Sequence, residues 1–477
     1  MRRFALLLTA AAGPLCACAI GPNYAPPKTP PSAAAPFVSI SPASTADQPL
    51  PPNWWRLYDD PVVDRLVQEA LTKNQDLKVA AANLAYAQAL LGESRVGLLP
   101  STELSAGADY GRSRPQAPGP RPKAGWGYQA GFTASYEVDL LGRVRRTIEA
   151  SRRNAQAVQA AEDAVRVAVA AGTAQAYADA CGFGEELDSA RQSQAVAQQT
   201  YDLVLVQRNA GAVSDFDLAR AATTLEQAKA AVPAIDGQRR NALFELAALL
   251  GRTPAQVPAE ADACKTPPQI AVALPVGDGA ALLKRRPDVR QADRELAAAT
   301  ARIGVATAGL YPQVTLGGSI TDTAATTQGL KSPAAVAFSV GPLISWSFPN
   351  IGLARAHIRE SQAQASGALA SFDSVVLQAL KEAEQALTSY NSELARHAAL
   401  AAADHQAAEA FRLAKVQYDA GSASFLDLLT AQAGYIQAQE ALAGSDLSLA
   451  VDQVAVFKAL GGGWENAPPV TPPPPPR

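Results

Sequence analysis

Residues suited to metal, nucleotide and nucleic-acid sites are scarce in this sequence. Its 477 residues include 3 His, 1 Met and 4 Cys, which leaves little material for a His- or Cys-based metal centre. The formal net charge is −3 and no basic tract stands out, so the chain is a poor electrostatic partner for nucleic acid. No nucleophile motif, Gly-rich phosphate loop or paired-carboxylate motif is evident. We therefore expect no catalysis, no metal, no cofactor and no nucleic-acid partner.

Long apolar runs are missing as well, and proline is missing over two long stretches. Beyond the N-terminus no segment reaches the ~20 unbroken apolar residues of a membrane-spanning helix. Proline is absent between Pro122 and Pro233 and between Pro349 and Pro468. The pattern over about 143–209 is helical throughout, which at 1.5 Å per residue predicts a helix of about 100 Å. Such a helix needs coiled-coil partners, and its many alanines favour close packing into a cylinder of helices.

The N-terminus has the features of an export signal. Arg2 and Arg3 precede a short apolar run, which is typical of a secretory signal peptide. Small residues then lead to Cys18, with Leu15 three places before it, and this pattern is similar to the bacterial lipobox. We therefore expect residues 1–17 to be removed and Cys18 to carry lipid, which anchors the protein without spanning the bilayer. A plain signal peptide with incidental cysteines is the alternative.

The chain contains one unit twice. Gly97 and Pro100 recur 212 residues later as Gly309 and Pro312, and further matches in the same order follow at an offset of 210. Chance similarity between alanine-rich helices would not preserve Gly and Pro positions, so we infer a duplication. The predicted segments are a signal peptide 1–17, a Pro-rich tether 18–52, a first repeat 53–260, a linker 261–280, a second repeat 281–463 and a Pro-rich tail 464–477.

Each repeat is predicted to contain an opening helix, two β-strands and a long helical hairpin. The opening helix of the first repeat is predicted at about 61–97. The clearest strand places Trp126, Tyr128 and Phe132 on one face and small or polar residues on the other. Such strands match those of transmembrane β-barrels, and a water-soluble sandwich is the alternative. The predicted strands are about 101–111, 126–140, 313–322 and 335–348, and the predicted hairpins are about 143–250 and 351–460.

Four strands of this type cannot form a complete barrel. An open sheet edge in lipid leaves amides and carbonyls unpaired, at a cost of several kcal/mol each. Known small barrels need about eight strands or more. Several chains must therefore share one barrel, with eight strands from two copies or twelve from three. Only the larger barrel leaves an open lumen.

Both hairpins reverse at turns with similar residues. Each turn offers a glycine for a left-handed helix C-cap and a serine for the next N-cap. Ordinary helical hairpins, without a special role for the turn, are the alternative. The turn residues singled out are Gly211, Ala212, Val213 and Ser214 in the first hairpin and Gly421, Ser422, Ala423 and Ser424 in the second.

The duplicated arrangement resembles the TolC-like outer-membrane factors, and within them the NodT-type efflux lipoproteins. The likeness covers nearly the whole mature chain. Each motif is short, but their order and spacing are specific. The motifs that carry it are 18–24, Trp54-Trp55, 136–144, 285–289 and Tyr311-Pro312.

This resemblance implies a mainly α fold with a small β part. It implies a homotrimer with a twelve-stranded β-barrel in the outer membrane of a Gram-negative bacterium and a periplasmic α-helical barrel. The implied function is the exit duct of a tripartite efflux pump, which passively conducts substrates. Its partners would be outer-membrane lipid, a periplasmic membrane-fusion adaptor and an inner-membrane transporter of the RND type. A duct of type I protein secretion, or a periplasmic coiled-coil adaptor or structural lipoprotein, is the alternative.

The same resemblance assigns roles to the hairpin turns. They would be the periplasmic tips, which close the tunnel and dock the adaptor. Relatives carry a hydrophobic residue and an aspartate at the aperture after the second tip. Leu426 falls on the hydrophobic position, whereas Thr430 stands where many relatives have Asp. We expect Leu426 and Thr430 to line the narrowest point; Asp427 is either a further aperture residue or a solvated carboxylate on the helix.

Two cysteines remain in the predicted mature chain besides the lipidated one. Cys181 and Cys264 would face an oxidising periplasm, so we expect a disulfide between them. Two buried thiols are the alternative.

Overall fold

The computed structural model of the protein describes residues 19–28, 30–46, 48–112, 123–346, 348–349 and 351–474. The predicted lipidation site, Cys18, lies outside these residues. Nine α-helices are found in the described part of the chain: α1 Pro61–Lys73, α2 Gln75–Val96, α3 Arg143–Asn209, α4 Asp215–Leu249, α5 Ala259–Asp262, α6 Gly279–Arg285, α7 Pro287–Ala308, α8 Ile351–Asp419 and α9 Phe425–Ala459. Six strands are found there: β1 Ser44–Thr45, β2 Ser101–Gly111, β3 Gly125–Val138, β4 Leu274–Pro275, β5 Gln313–Ala324 and β6 Val336–Ser345.

The chain divides into two compact units. The strand unit consists of the described parts of Met1–Pro27, Ala85–Val158 and Ala292–Phe372. The hairpin unit consists of the described parts of Lys28–Leu84, Gln159–Gln291 and Asp373–Arg477. The helices α3 and α8, of 67 and 69 residues, contribute to both units. None of the helices in the described ranges combines the length and hydropathy that crossing a bilayer requires.

Four strands form one antiparallel sheet in the order β2-β3-β5-β6. Its register aligns the two faces that the alternating sequence predicts. One row across all four strands is apolar and runs through Leu104, Phe132, Ile320 and Phe338. The neighbouring row is polar and consists of Glu103, Thr133, Ser319 and Ser339. Because side chains alternate between faces, the sheet has one apolar and one polar face.

The apolar face of this sheet is exposed. Leu104 retains 82% of its accessible surface and Phe338 retains 80%. All ten residues of β6 are exposed, and so are ten of the eleven residues of β2. Among the described strands, none pairs with the outer edge of β2 or of β6.

The prediction of one opening helix over 61–97 is wrong, because the helix breaks at Asn74. The backbone of Asn74 leaves the helical region at ψ 139°, and its Oδ1 caps α2 by accepting from the amides of Asp76 and Leu77 at 2.8 and 3.2 Å. Its Nδ2 donates to the carbonyl of Leu249 at 3.0 Å. Asn74 therefore joins α1, α2 and the end of α4.

The second repeat uses an arginine at the equivalent break. Arg286 stands between α6 and α7, and its Nη1 donates to the carbonyl of Ala459 at the end of α9 at 2.8 Å. Its guanidinium also pairs with Asp288 at 2.6 Å and Glu382 at 2.7 Å. Burial disfavours the charge, but the hydrogen bonds from Arg286 to these two carboxylates outweigh it and raise the pKa of the guanidinium.

The predicted tether makes more contacts than the Pro-rich composition suggests. In the hairpin unit the amides of Val38 and Ser39 donate to the carboxylate of Glu384 at 2.7 and 3.0 Å. The short strands β1 and β4 then form a parallel pair. Backbone amides and a carboxylate thus help to dock this segment, and the apolar side chains of Phe37 and Leu50 are buried as well.

The linker 261–280 is attached to α3 by a disulfide. Cys181 on α3 is fully buried and is bonded to Cys264, with 4.8 Å between the two Cα atoms. Nearby, the ammonium of Lys265 pairs with Asp188 at 2.7 Å. Gly184 allows the close approach, because a Cβ there would lie 2.5 Å from the carbonyl oxygen of Cys264.

Candidate functional site

The two predicted turns have the same backbone geometry. Gly211 and Gly421 both have φ of +73°, in the left-handed region that glycine adopts without strain. The amide of Ala212 bonds the carbonyl of Gln207 at 2.9 Å, and the corresponding bond in the second turn is also 2.9 Å. Each turn is therefore a Schellman-type helix end, which satisfies carbonyls at the end of the long helix.

A capping box starts the returning helix after each turn. Ser424 Oγ accepts from the amide of Asp427 at 3.2 Å, and Asp427 Oδ2 accepts from the amide and hydroxyl of Ser424 at 3.0 and 2.6 Å. Ser214 and Asp217 repeat this arrangement at the start of α4. The hydrogen bonds from the serine side chain and amide lower the pKa of both carboxyls. Asp427 is thus engaged as a helix cap in this structure.

The turns of the two repeats are brought together by a small apolar core. Within the hairpin unit, side chains from α3, α4 and α9 meet there, and Tyr418 on α8 packs against them. A buried hydrogen bond accompanies this core, from the hydroxyl of Thr200 to the side-chain oxygen of Gln432 at 2.9 Å. The buried members of the core are Val204, Ala221, Phe425, Leu428 and Leu429.

The two predicted aperture residues lie on the first turns of α9. Leu426 is 49% exposed although it is apolar. Thr430 is exposed one turn later, and its hydroxyl donates to the carbonyl of Leu426 at 2.7 Å. Both side chains therefore lie on one side of α9 and are free of the tip core.

The first repeat holds a corresponding pair that the sequence reasoning missed. Phe216 and Arg220 stand 210 residues before Leu426 and Thr430. Phe216 is 68% exposed, and the guanidinium of Arg220 lies 5.5 Å from the centre of its ring. The duplication offset was the signal that could have found them. The tip thus presents a leucine and a threonine in one repeat and a cation–π pair in the other.

Further large apolar side chains are exposed next to the turns. Val206 on α3 is 66% exposed, and Val416, its equivalent on α8, is 55% exposed. Together with Phe216 and Leu426 they form a duplicated apolar rim, which we call the tip rim. These side chains are exposed in a single chain. Exposed groups of large apolar side chains of this kind mark interaction surfaces.

Replacing a turn glycine with alanine should lower the stability of the protein, whereas replacing a glycine inside the returning helix should raise it. Gly421→Ala forces a left-handed residue and should destabilise the protein by about 1 kcal/mol. Gly434→Ala, in α9 with no atom within 4 Å of an added Cβ, should stabilise by about 0.5–1 kcal/mol. Chemical unfolding of the two variants beside the wild type measures both shifts. Shifts of the same sign would contradict the assigned turn conformation.

No cluster of three or more His, Cys, Asp or Glu able to hold a metal ion occurs in the described ranges.

Solved structures of outer-membrane channels share this arrangement of sheet and hairpins. The chain superposes on the outer-membrane channel OprN with a TM-score of 0.88 and 34% identity, covering 94% of this chain and 100% of that one. The Campylobacter jejuni CmeC outer membrane channel matches in fold, with a TM-score of 0.85 at 24% identity. The protein therefore has the fold of a TolC-like outer-membrane channel, which confirms the predicted fold class.

Sequence relatives give the same result. The family model of the outer membrane efflux protein matches residues 66–252 and 280–462, and the chain belongs to that family. Nodulation protein T of Rhizobium leguminosarum bv. viciae is 30% identical over 450 residues, covering 94% of this chain and 92% of the relative. Outer membrane protein OprJ of Pseudomonas aeruginosa is 29% identical over 456 residues, covering 95% and 94%. The predicted family is confirmed, and the protein is an outer-membrane efflux component of a Gram-negative bacterium.

Proposed function

We propose that three copies of this chain share one β-barrel. The supporting observation is the pair of unpaired edges, β2 and β6, on a sheet with an exposed apolar face. In lipid each unpaired edge group costs several kcal/mol, so β6 of one copy pairs with β2 of the next. Two copies give eight strands, whose interior side chains fill, whereas three give twelve strands and an open lumen. A conduit requires the lumen, so the trimer is the functional state.

In this trimer the long helices supply the rest of the duct. Much of α8 is exposed in one chain, although residues such as Ala379, Ala383 and Leu387 face its own unit at helical spacing. Neighbouring copies cover the remaining faces and complete a periplasmic helical barrel. The duct passively conducts substrates that an inner-membrane transporter of the RND type delivers.

Within the tip rim, Val206 and Val416 are the docking surface for a periplasmic membrane-fusion adaptor, whereas Leu426 is assigned to the aperture. Both valines are apolar and exposed, and the duplication presents this position twice per chain. A trimer therefore offers six similar hairpin ends, which suits an adaptor that binds each groove between hairpins. Gly211–Ser214 and Gly421–Ser424 shape these ends.

Cys18 is the lipidation site in this proposal. It follows a short signal pattern and precedes a described segment that begins at Ala19. Acyl chains there add outer-membrane attachment to that of the barrel.

The narrowest point of the duct is formed by Leu426 and Thr430. Their exposure on one side of α9, away from the tip core, supports this role. In planar bilayers, Leu426→Ala with Thr430→Ala should raise the single-channel conductance by at least about twofold, because a hydrophobic constriction limits ion flow.

A matched control separates the aperture from general loosening of the tip. Leu413→Ala makes the same leucine-to-alanine change as Leu426→Ala, but on α8, at a side chain that is 45% exposed. That variant should conduct as the wild type does. Unchanged conductance in the double variant, or an equal rise in both, would refute the aperture assignment.

A further inference from the structure

The segment that directly follows the predicted lipidated cysteine occupies a built site in the strand unit. Arg146 on α3 is only 4% exposed, and its guanidinium is directed at this segment. Its Nη2 donates to the carbonyls of Ala19 and Gly21 at 3.4 and 3.3 Å and to Asn23 Oδ1 at 2.7 Å. Its Nε donates to the carbonyl of Ile20 at 3.2 Å. Four acceptors of one short segment thus converge on one buried cation.

The guanidinium depends on this segment for its hydrogen bonds. Its one carboxylate partner among the described residues is Glu149, whose Oε2 lies 2.8 Å from Nη1. Without the segment, Nε and Nη2 would lose every acceptor that they have among the described residues. A buried charged donor without acceptors is costly, so Arg146 and the segment hold each other in place.

Two glycines make room for the segment. A Cβ on Gly304 of α7 would lie 2.9 Å from the carbonyl oxygen of Ile20 and 2.9 Å from Cγ of Arg146. A Cβ on Gly142 would lie 2.6 Å from the Cα of Ala19. The amide of Ile20 completes the site by donating to the carbonyl of Leu141 at 3.1 Å. Tyr24 extends the attachment by donating its hydroxyl to Asp293.

The duplication provides an internal comparison for this site. Gly142 and Arg146 of the first repeat correspond to Gly352 and Ala356 in the second, and Gly304 of the second repeat corresponds to Gly92 in the first. A Cβ on Gly92 or Gly352 would meet nothing within 4 Å among the described atoms. Both repeats therefore carry the glycines, but the arginine is present only where the segment is bound.

We propose that Gly142, Arg146 and Gly304 form a receptor for the chain's own N-terminal segment, Ala19–Asn23, and thereby fix where the lipid anchor enters the membrane. The inference rests on the proposed lipidation of Cys18. Ile20 is bonded to Leu141, three residues after β3 ends at Val138. The anchor therefore enters the bilayer at the level where the transmembrane strand leaves it. Arg146 acts as a positioning residue, which sets the depth of the barrel relative to its acyl chains.

Chymotryptic cleavage after Tyr24 tests the docking in the full-length trimer reconstituted in lipid nanodiscs. A protease needs the segment undocked, so cleavage reports how often the segment leaves the receptor. The rate is followed by intact mass spectrometry as the appearance of a chain that starts at Ala25. We expect slow cleavage in the wild type and cleavage at least about tenfold faster in Arg146→Ala.

A glycine pair provides the matched variants. Gly304→Ala should also accelerate cleavage after Tyr24, because its methyl group occupies the space of the Ile20 carbonyl. Gly92→Ala makes the same change at the equivalent open position and should leave the rate at the wild-type value. Equal rates for Gly304→Ala and Gly92→Ala, or equal rates for Arg146→Ala and the wild type, would overturn the receptor.

Two further readouts keep this test separate from the proposed function. Oligomer mass and bilayer conductance of the same variants show whether the duct is intact. If Arg146→Ala folds poorly, Gly304→Ala still provides the test, because it adds only one methyl group. The acyl mass on the released 18–24 peptide reports lipidation directly. Fast cleavage of an intact, acylated wild-type channel would overturn the receptor alone.

Discussion

Replacing Cys181 and Cys264 together with alanine is expected to lower the free energy of unfolding by about 4 kcal/mol. The two residues are 83 positions apart, so their bond closes a long loop that includes the rest of α3, the first tip and all of α4. Without the bond the unfolded chain regains the freedom of that loop. The linker 261–280 would remain attached to α3 chiefly by the ion pair of Lys265 and Asp188, which is partly exposed and weak.

Denaturant unfolding with and without reductant measures this effect. Reductant should lower the unfolding midpoint of the wild type to that of the double variant and should leave the variant unchanged. Both residues stand outside the tip, so bilayer conductance at moderate temperature should be retained. Equal midpoints for oxidised wild type and variant would show that the bond contributes nothing.

Arg286→Ala is expected to cost about 3 kcal/mol of stability. The variant leaves Asp288, Glu382 and the carbonyl of Ala459 without their shared cation, and it opens a space where α6, α7, α8 and α9 meet. Arg286→Lys keeps the charge but cannot reproduce the fork geometry, so it should lose an intermediate amount. The measurement is the midpoint of denaturant unfolding.

The neighbouring Lys284→Ala is the control for Arg286. Lys284 is exposed near the end of α6, so its removal should change stability by less than about 0.5 kcal/mol. Asn74→Ala, at the equivalent position of the first repeat, should cost about 1–2 kcal/mol, because its hydrogen bonds are neutral. A wild-type midpoint in Arg286→Ala would contradict the role of this arginine as the joint of the second repeat.

Local sequence patterns were sufficient to predict the strands and helices in which apolar residues recur with one regular period. Alternation over two residues predicted strands near 101–111 and 313–322, and the structure has strands at Ser101–Gly111 and Gln313–Ala324. The turns were readable because glycine and serine have fixed roles at helix ends. Helical periodicity even extends through Pro233, which lies inside α4.

Contacts between distant segments were beyond such patterns. Asn74 interrupts a helical stretch whose hydrophobic spacing continues across the break. The tertiary partners of Asn74 and Arg286, which are Leu249, Ala459 and Glu382, lie more than 95 residues away. Arg146 looked like any helix-surface arginine until the segment at 19–23 was placed beside it. Asp427 remained ambiguous because a capping carboxylate and a pore carboxylate occupy the same first turn of a helix.

The mass of the detergent-extracted particle tests most directly the claim that several copies complete one barrel. Native mass spectrometry of the purified protein should give a particle of three mature chains, each carrying its own lipid. Three chains supply the twelve strands that close the edges of β2 and β6 around an open lumen. A particle of one or two chains that still conducts ions across a planar bilayer would contradict the barrel of three chains.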